Sequence, residues 1–296
     1  MAGGNTSIEL SVHNDKPEPQ PFVDALLDDY SDEELLHYIR QSPRLVTTVK
    51  QAVLILSPGL LAKAVGGTCY DDPMDEICAM QRARALGINV PAFRRLVPAD
   101  DCGTHYLVME RVIGDTLEKR WRNLGLWGTL RAAWKLRGYL RLLRTVTAQT
   151  TGGLHSGRTR CPWLDDQRGP VRNASPVAFV GYLNWWLVDC RPQYCTPHPE
   201  LVLKLAKEHI LVHQDLAPRN MILDPRGTLW LVDWGISGFY PEYMEFFWDR
   251  RHIVVTLDVV VEGTHMGGMD TREAFGAVSV RTQRFRLDKT PFSGEL

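Results

Sequence analysis

Residues 211–235 read LVHQDLAPRNMILDPRGTLWLVDWG, and the fold turns on how this stretch is read. Met221-Ile222-Leu223 is a short apolar run. Asp224-Pro225-Arg226-Gly227 follows, and its proline and glycine favour a turn because they preset or free the backbone dihedrals. Leu229-Trp230-Leu231-Val232 is a second apolar run, partly β-branched. Two such runs around a turn predict a β-hairpin.

The hairpin has a chemical consequence. Paired strands lie about 4.8 Å apart, so Asn220 and Asp233 would share the open end and reach one cation. Asp215 stands five residues before Asn220, on the loop that enters the hairpin. Two carboxylates and a carboxamide then converge. A small set of hard oxygen ligands suits a Mg²⁺ ion that keeps waters and takes its other ligands from phosphates. Singly, these residues have plainer readings. Asp and Asn are common in turns, and Asp233 after an apolar strand is a fair helix N-cap. The hairpin is what joins them.

The wording of the stretch then matters. His213-Gln214-Asp215-Leu216-Ala217-Pro218-Arg219-Asn220 resembles the kinase loop H-R-D-L-x-x-x-N, with Gln214 in place of the arginine. Asp233-Trp234-Gly235 resembles D-F-G, with Trp for Phe. The longer pattern HxDLxPRN…DWxxxGxYPEY is closer to the aminoglycoside phosphotransferase family, choline-kinase-like and fungal-type members especially, than to protein kinases. The resemblance spans roughly residues 45–245. It implies an α+β, bilobal protein-kinase-like fold: a small antiparallel-sheet N-lobe with one key helix, and a mainly helical C-lobe. It also implies ATP, or GTP as the alternative nucleotide, together with Mg²⁺. By the same resemblance Asp215 is the base that accepts the acceptor's hydroxyl proton, Asn220 and Asp233 are the Mg²⁺ ligands, and His213 props the loop.

Upstream, residues 49–65 form a second hairpin candidate around Ser57-Pro58-Gly59, with Lys63 as the cation of its returning strand. Asp72-Pro73 is a strong helix start, an N-cap with proline at the first position. Ile77, Met80 and Ala83 give that helix an apolar stripe, Gly87 ends it, and Glu76 lies in its first turn. Lys63 and Glu76 resemble the kinase lysine–glutamate pair that holds the lysine on the nucleotide phosphates, with Asp75 the neighbouring alternative. Separately, Lys63 reads as a solvent-facing strand lysine and Glu76 as a helix-dipole partner. No G-x-G-x-x-G precedes Lys63, and residues 41–55 contain no glycine. Residues 105–114 read as a strand running to a hinge. The resemblance puts the backbone of Met109, Glu110 and Val112 against a nucleobase.

Three segments organise the chain: a disordered N-terminus at 1–22, a nucleotide-binding N-lobe with hinge at 23–112, and a C-lobe at 113–296. Ser31-Asp32-Glu33-Glu34 reads as a capping box opening a helix near 31–41. Residues 126–147 predict a helix whose apolar positions are Leu126, Leu130, Trp134, Leu136, Leu140 and Leu143, with arginines and Lys135 on a solvated face. Residues 151–176 read as a long loop. Apolar residues 177–190 predict a helix, and a further helix near 199–209 leads into the loop at 213. Trp185, Trp186, Asp189 and Tyr194 are candidates for contact with an acceptor, though most aromatics are core. Residues 249–296 match the family least.

The chain has 296 residues, enough for one large or two modest domains, with 44% hydrophobic and 23% charged residues. A net charge of -1 gives no basic field for nucleic acid or an anionic membrane. Neither a signal peptide nor an apolar run long enough for a membrane span is read. Six cysteines without a C-x-x-C pair fit reduced thiols in a cytoplasmic protein, a monomer or weak dimer.

Pro241-Glu242 follows Asp233 by only eight residues. A protein kinase needs a longer activation segment there, so the expectation is transfer of the γ-phosphate to a hydroxyl of a small-molecule metabolite. The alternatives are a catalytically idle kinase-like binding module, a protein kinase, and a Mg²⁺-dependent phosphohydrolase using Asp215 and Asp233.

Overall fold

The computed structural model describes residues 21–45, 53–67, 72–100, 103–160, 172–188, 203–206 and 208–246. Residues 1–20 of the N-terminus expected to be disordered and residues 249–296 lie outside them, as do Asp189, Tyr194 and the side chain of Trp186. The expected disorder does not extend to Phe22, whose ring stacks on Tyr30 with centroids 5.4 Å apart.

Helix α1, Asp32–Gln41, opens on the predicted capping box. Ser31 Oγ accepts the Glu34 N–H, and the Glu34 side chain accepts the Ser31 N–H. Strands β1, Val53–Ile55, and β2, Leu60–Gly66, form the predicted hairpin with Val53 opposite Lys63. Ser57 Oγ holds the turn by accepting the Gly59 and Leu60 N–H groups. Helix α2, Pro73–Ala85, starts where Asp72 accepts the Met74 N–H and stops before Gly87. Strands β3, Phe93–Pro98, and β4, Thr104–Glu110, complete an antiparallel sheet of order β1-β2-β4-β3.

Beyond β4 come β5, Asp115–Thr116, the short helix α3, Leu117–Arg120, and the long helix α4, Gly125–Leu143. Strand β6, Thr147–Ala148, and helix α5, Pro176–Val188, follow. Strands β7, His209–Val212, β8, Met221–Leu223, β9, Leu229–Leu231, and β10, Gly238–Tyr240, come next, and a short 3-10 turn, Glu242–Phe246, closes the described chain. The strands build two small antiparallel sheets, β10-β7-β6 and β5-β8-β9. The architecture is α+β.

One continuous apolar core joins the first sheet to the rest. Ile77 and Met80 of α2, Leu107 of β4, Tyr139 of α4, Leu231 of β9 and Trp234 belong to it. Asn89 ties the same regions through polar bonds. Its carbonyl accepts the Leu231 N–H at 2.9 Å, and its amide donates to Leu229 O at 3.2 Å.

Two expectations are corrected. Of the helix predicted near 199–209, residues 199–202 and 207 lie outside the described residues, and the rest is not helical: 203–206 are irregular, and His209 begins a strand. The run His209-Ile210-Leu211-Val212 is flanked by partners on both sides, β6 and β10, and a strand that bonds on both edges satisfies its backbone without a helix. The second concerns α4, which forms where the apolar run predicts a helix but buries only part of that run. Leu143 is buried and Leu136 packs against the core. Leu126, Leu130 and Trp134 are exposed, Leu126 at 67% and Trp134 at 75%, and Ala132 and Tyr139 are buried in their place. The buried stripe is the one that meets the rest of the fold, where Tyr139 donates its hydroxyl to Leu229 O at 3.0 Å. Among the described residues, no helix is long and apolar enough to cross a membrane.

Candidate active site

The second predicted hairpin forms as read, with Met221 opposite Leu231 and Leu223 opposite Leu229. Asp224 builds its turn by accepting the Arg226 and Thr228 N–H groups at 2.9 and 2.8 Å. Gly227 takes the positive φ of 75° that the turn needs. At the open end, the Val232 N–H donates to Asn220 O at 3.0 Å. This bond brings the loop before β8 against the residue preceding Asp233.

On the loop side, the Asn220 amide donates to the Asp215 carboxylate at 2.7 Å and to the Asp215 backbone oxygen at 2.9 Å. The side-chain amide nitrogen is therefore committed, and the side-chain oxygen Oδ1 is the remaining polar atom of the Asn220 carboxamide. Arg219 Nη2 donates to the other Asp215 oxygen at 2.5 Å. Burial raises the Asp215 pKa above the usual carboxylate range, with Arg219 and Asn220 working against it. In the sequence Arg219 stands beside the cluster; the structure bonds it directly to Asp215.

On the sheet side, Lys63 Nζ pairs with Glu76 at 2.7 Å and with Asp233 at 2.6 Å. This is the predicted pair, formed with Glu76 and not with Asp75. Burial alone lowers the Lys63 pKa, but the carboxylates of Glu76 and Asp233 outweigh it and hold the ammonium well above its ordinary value. Asp233 is opposed by burial as well, yet Lys63 keeps it ionised, below the ordinary range. The cluster thus carries three carboxylates, Glu76, Asp233 and Asp215, against two cations, Lys63 and Arg219.

His213 and Trp234 lock the two sides together. The Asp215 N–H donates to His213 Nδ1 at 3.2 Å, and His213 Nε2 lies 3.1 Å from Val232 O. A carbonyl only accepts, so the proton sits on Nε2 and the ring is neutral. Burial agrees, pushing the His213 pKa down to about 4. The fully buried Trp234 ring packs edge-on against His213, centroids 4.5 Å apart, and donates Nε1–H to Leu231 O. Trp for Phe after Asp233 therefore fills a core position.

Two further residues hold this framework: Gln214, marked in the sequence only as the replacement for the kinase-loop arginine, and Glu245, which carries no signal there. Gln214 and Asp233 both adopt left-handed backbone, φ 66° and 67°, a conformation that costs a non-glycine residue energy unless its surroundings hold it. Gln214 is held by its side chain, which donates to Ile236 O at 2.7 Å and Arg160 O at 3.2 Å. Glu245 holds the backbone, accepting the His213 and Gln214 N–H groups at 2.8 and 3.0 Å. Burial pushes the Glu245 pKa up to about 7, against the pull of those two amides. No local pattern marks Glu245, because its partners lie more than thirty positions upstream.

At the end of β4 the expected nucleobase edge is partly used by the fold. The Glu110 N–H donates to Ala92 O at 2.9 Å, and its carboxylate accepts the Ala92 N–H at 3.0 Å. The Arg111 N–H donates to Gly59 O at 2.8 Å, and Met109 is paired within the sheet. The next N–H along the chain is that of Val112. Trp185 is half-exposed on α5, its ring 5.8 Å from that of Tyr182.

The model of the phosphotransferase enzyme family (APH) matches residues 70–254, more than half of the chain. A search of curated proteins returned no match. Among solved structures, aminoglycoside phosphotransferase APH(4)-Ia is 14% identical, with 72% of this chain and 73% of that chain covered and a TM-score of 0.44. The GDP complex of wild-type aminoglycoside 2'-phosphotransferase-IIIa is 16% identical over 75% and 73% of the two chains, TM-score 0.43. The streptomycin-ATP-APH(2")-IIa ternary complex is 15% identical over 76% and 75%, TM-score 0.41.

Proposed function

Because the chain belongs to the phosphotransferase enzyme family (APH), we propose that it transfers the γ-phosphoryl group of ATP, with GTP as the alternative donor, to a hydroxyl of a small-molecule metabolite. In this reading residues 23–112 are a nucleotide-binding lobe and residues 113–296 an acceptor-binding lobe, the bilobal kinase arrangement. The observation that carries the proposal is the junction at the hairpin mouth. There the Lys63–Glu76–Asp233 ion cluster meets Asp215 and Asn220 through the Val232–Asn220 backbone bond.

Each residue has a task that follows from its surroundings. Lys63 stays charged in a buried site and steadies the α- and β-phosphates, with Glu76 fixing its reach. The Asp233 carboxylate and the Asn220 side-chain oxygen Oδ1 are hard oxygen donors of the kind Mg²⁺ accepts alongside water and phosphate. Bound there, Mg²⁺ would supply charge neutralisation on the β- and γ-phosphates. Asp215 orients the acceptor hydroxyl and takes its proton as the acceptor oxygen bonds to phosphorus and the nucleoside diphosphate leaves. An ordinary carboxylate is a weak base for an alcohol. Burial strengthens Asp215, and a loose transition state asks for the proton only late. His213 holds the Asp215 backbone through Nδ1. The Val112 N–H is the natural partner for a nucleobase edge next to Met109 and Glu110.

Strand β10 and the turn Glu242–Phe246 follow Asp233 almost at once. That leaves little chain for a polypeptide-binding segment and supports a small acceptor over a protein substrate. The test is nucleotide consumption against a panel of hydroxylated acceptors. Asp215→Asn should lower the acceptor-dependent rate on the order of 10²–10⁴-fold with Mg·ATP binding retained. A rate equal to wild type would remove Asp215 from the role of base.

A further inference from the structure

Asp75 is the most buried carboxylate of α2, at 1% exposure, and the chemistry of phosphoryl transfer leaves it without a task. It is adjacent to Glu76, so the two side chains leave the helix about 100° apart. Glu76 goes to Lys63. Asp75 goes to the loop after β6, where one oxygen accepts the His155 and Ser156 N–H groups, both at 2.8 Å, and the other accepts the Ser156 hydroxyl at 2.5 Å. Asp72, the N-cap of the same helix, bonds His155 Nδ1 at 2.9 Å. The fit is close: a Cβ on Gly153 would run into the Asp75 carboxylate.

The same loop reaches the other half of the site. Gly152 exchanges backbone bonds with Phe239 of β10 at 3.0 and 2.8 Å. The Arg160 guanidinium donates to Gly235 O, and the Arg160 backbone N–H donates to Tyr240 Oη at 2.8 Å. The Arg160 carbonyl accepts the Gln214 amide. One segment, residues 152–160, therefore touches the helix bearing Glu76, the turn after Asp233 and the loop bearing Asp215.

We propose that residues 152–160 form a strap that sets the position of α2, and that Asp75 is the positioning residue through which it orients Glu76, and so Lys63, on the nucleotide phosphates. The inference rests on the role of Lys63 in the proposed phosphotransfer. It explains why a charged residue is buried with its hydrogen bonds directed to one distant loop: losing the carboxylate would leave two amides unpaired and release the rotation of α2 about its axis.

The test is Mg·ATP binding by calorimetry, with Mg·GTP as the second probe, on full-length wild type, Asp75→Ala, Asp75→Asn, Gly153→Ala, Lys63→Ala and the Lys63→Ala/Asp75→Ala double variant. Gly153→Ala adds only a methyl group against the Asp75 carboxylate, so it tests the strap even if Asp75→Ala fails to fold. Asp75→Ala and Gly153→Ala should each weaken Mg·ATP about tenfold, as coupled neighbours do. Asp75→Asn, whose carbonyl oxygen still accepts two N–H groups, should remain within about threefold. The double variant should bind no more weakly than Lys63→Ala, because Asp75 acts through Lys63. Wild-type affinity in Gly153→Ala, or full additivity in the double variant, overturns the strap. Unchanged binding in Lys63→Ala instead overturns the assignment of Lys63, which separates the two failures.

Discussion

Lys63 is the residue on which the site's electrostatics depend. It is buried, and both of its partners are carboxylates. Removing one member of a buried pair leaves its partner's charge uncompensated, at a cost of about 3–5 kcal/mol. Lys63→Ala should therefore lose stability of that order in denaturant unfolding, and adding Glu76→Gln should recover part of it. A loss confined to a few tenths would mean the pair is solvated. Glu245 and His213 make the region pH-sensitive in opposite directions. The Glu245 pKa is raised from 4.5 to about 7 by burial. Its neutral form stabilises the fold fully below pH 4.5, and this contribution is lost as pH rises through about 7. The His213 pKa is depressed from 6.5 to about 4, again by burial. Its contribution is present above pH 6.5 and lost as pH falls through about 4. Stability curves from about pH 5 to 8 should show a decline in wild type relative to Glu245→Gln. Parallel curves would place Glu245 outside this linkage.

Among the elements, those with strong local chemistry are legible in the amino-acid sequence alone. The two hairpins are marked by Ser57-Pro58-Gly59 and Asp224-Pro225-Arg226-Gly227, and α2 by Asp72-Pro73. What local chemistry cannot supply is the partner. The helix expected near 199–209 runs into His209, but His209–Val212 form strand β7, whose conformation is fixed by β6 and β10, which are remote in sequence. The α4 stripe is misleading because Leu126, Leu130 and Trp134 are as apolar as the residues that pack. The packing of α4 on the core, with β9 presenting its Leu229 carbonyl to the Tyr139 hydroxyl, selects the buried face. The roles of Glu245 and Asp75 are hidden for the same reason: each bonds backbone N–H groups, which no side-chain pattern records. Element contacts of this kind are sharp. A Cβ at Gly114 would run into Leu223 O, where β5 meets β8. Gly114→Ala should then cost about 1–3 kcal/mol, the range for overpacking, read as a lower unfolding midpoint. An unchanged midpoint would show that β5 can move away from β8 freely.

At the scale of the whole molecule, the site is a seam. Lys63 and Glu76 come from the first sheet and its helix, Asp215, Asn220 and Asp233 from the hairpin, and residues 152–160 run between them. A ligand that bridges the seam binds the folded protein and not the unfolded chain, so it must raise global stability. At 100 times its Kd the gain is about 2.7 kcal/mol. The most direct measurement is thermal unfolding with ATP, with and without Mg²⁺, on wild type and Asp233→Ala. If nucleotide and Mg²⁺ bind at the seam, the wild-type midpoint rises in a Mg²⁺-dependent way and the rise disappears in Asp233→Ala. A wild-type midpoint unmoved by millimolar ATP or GTP with Mg²⁺, or a rise that survives in Asp233→Ala, would contradict a nucleotide–metal site there.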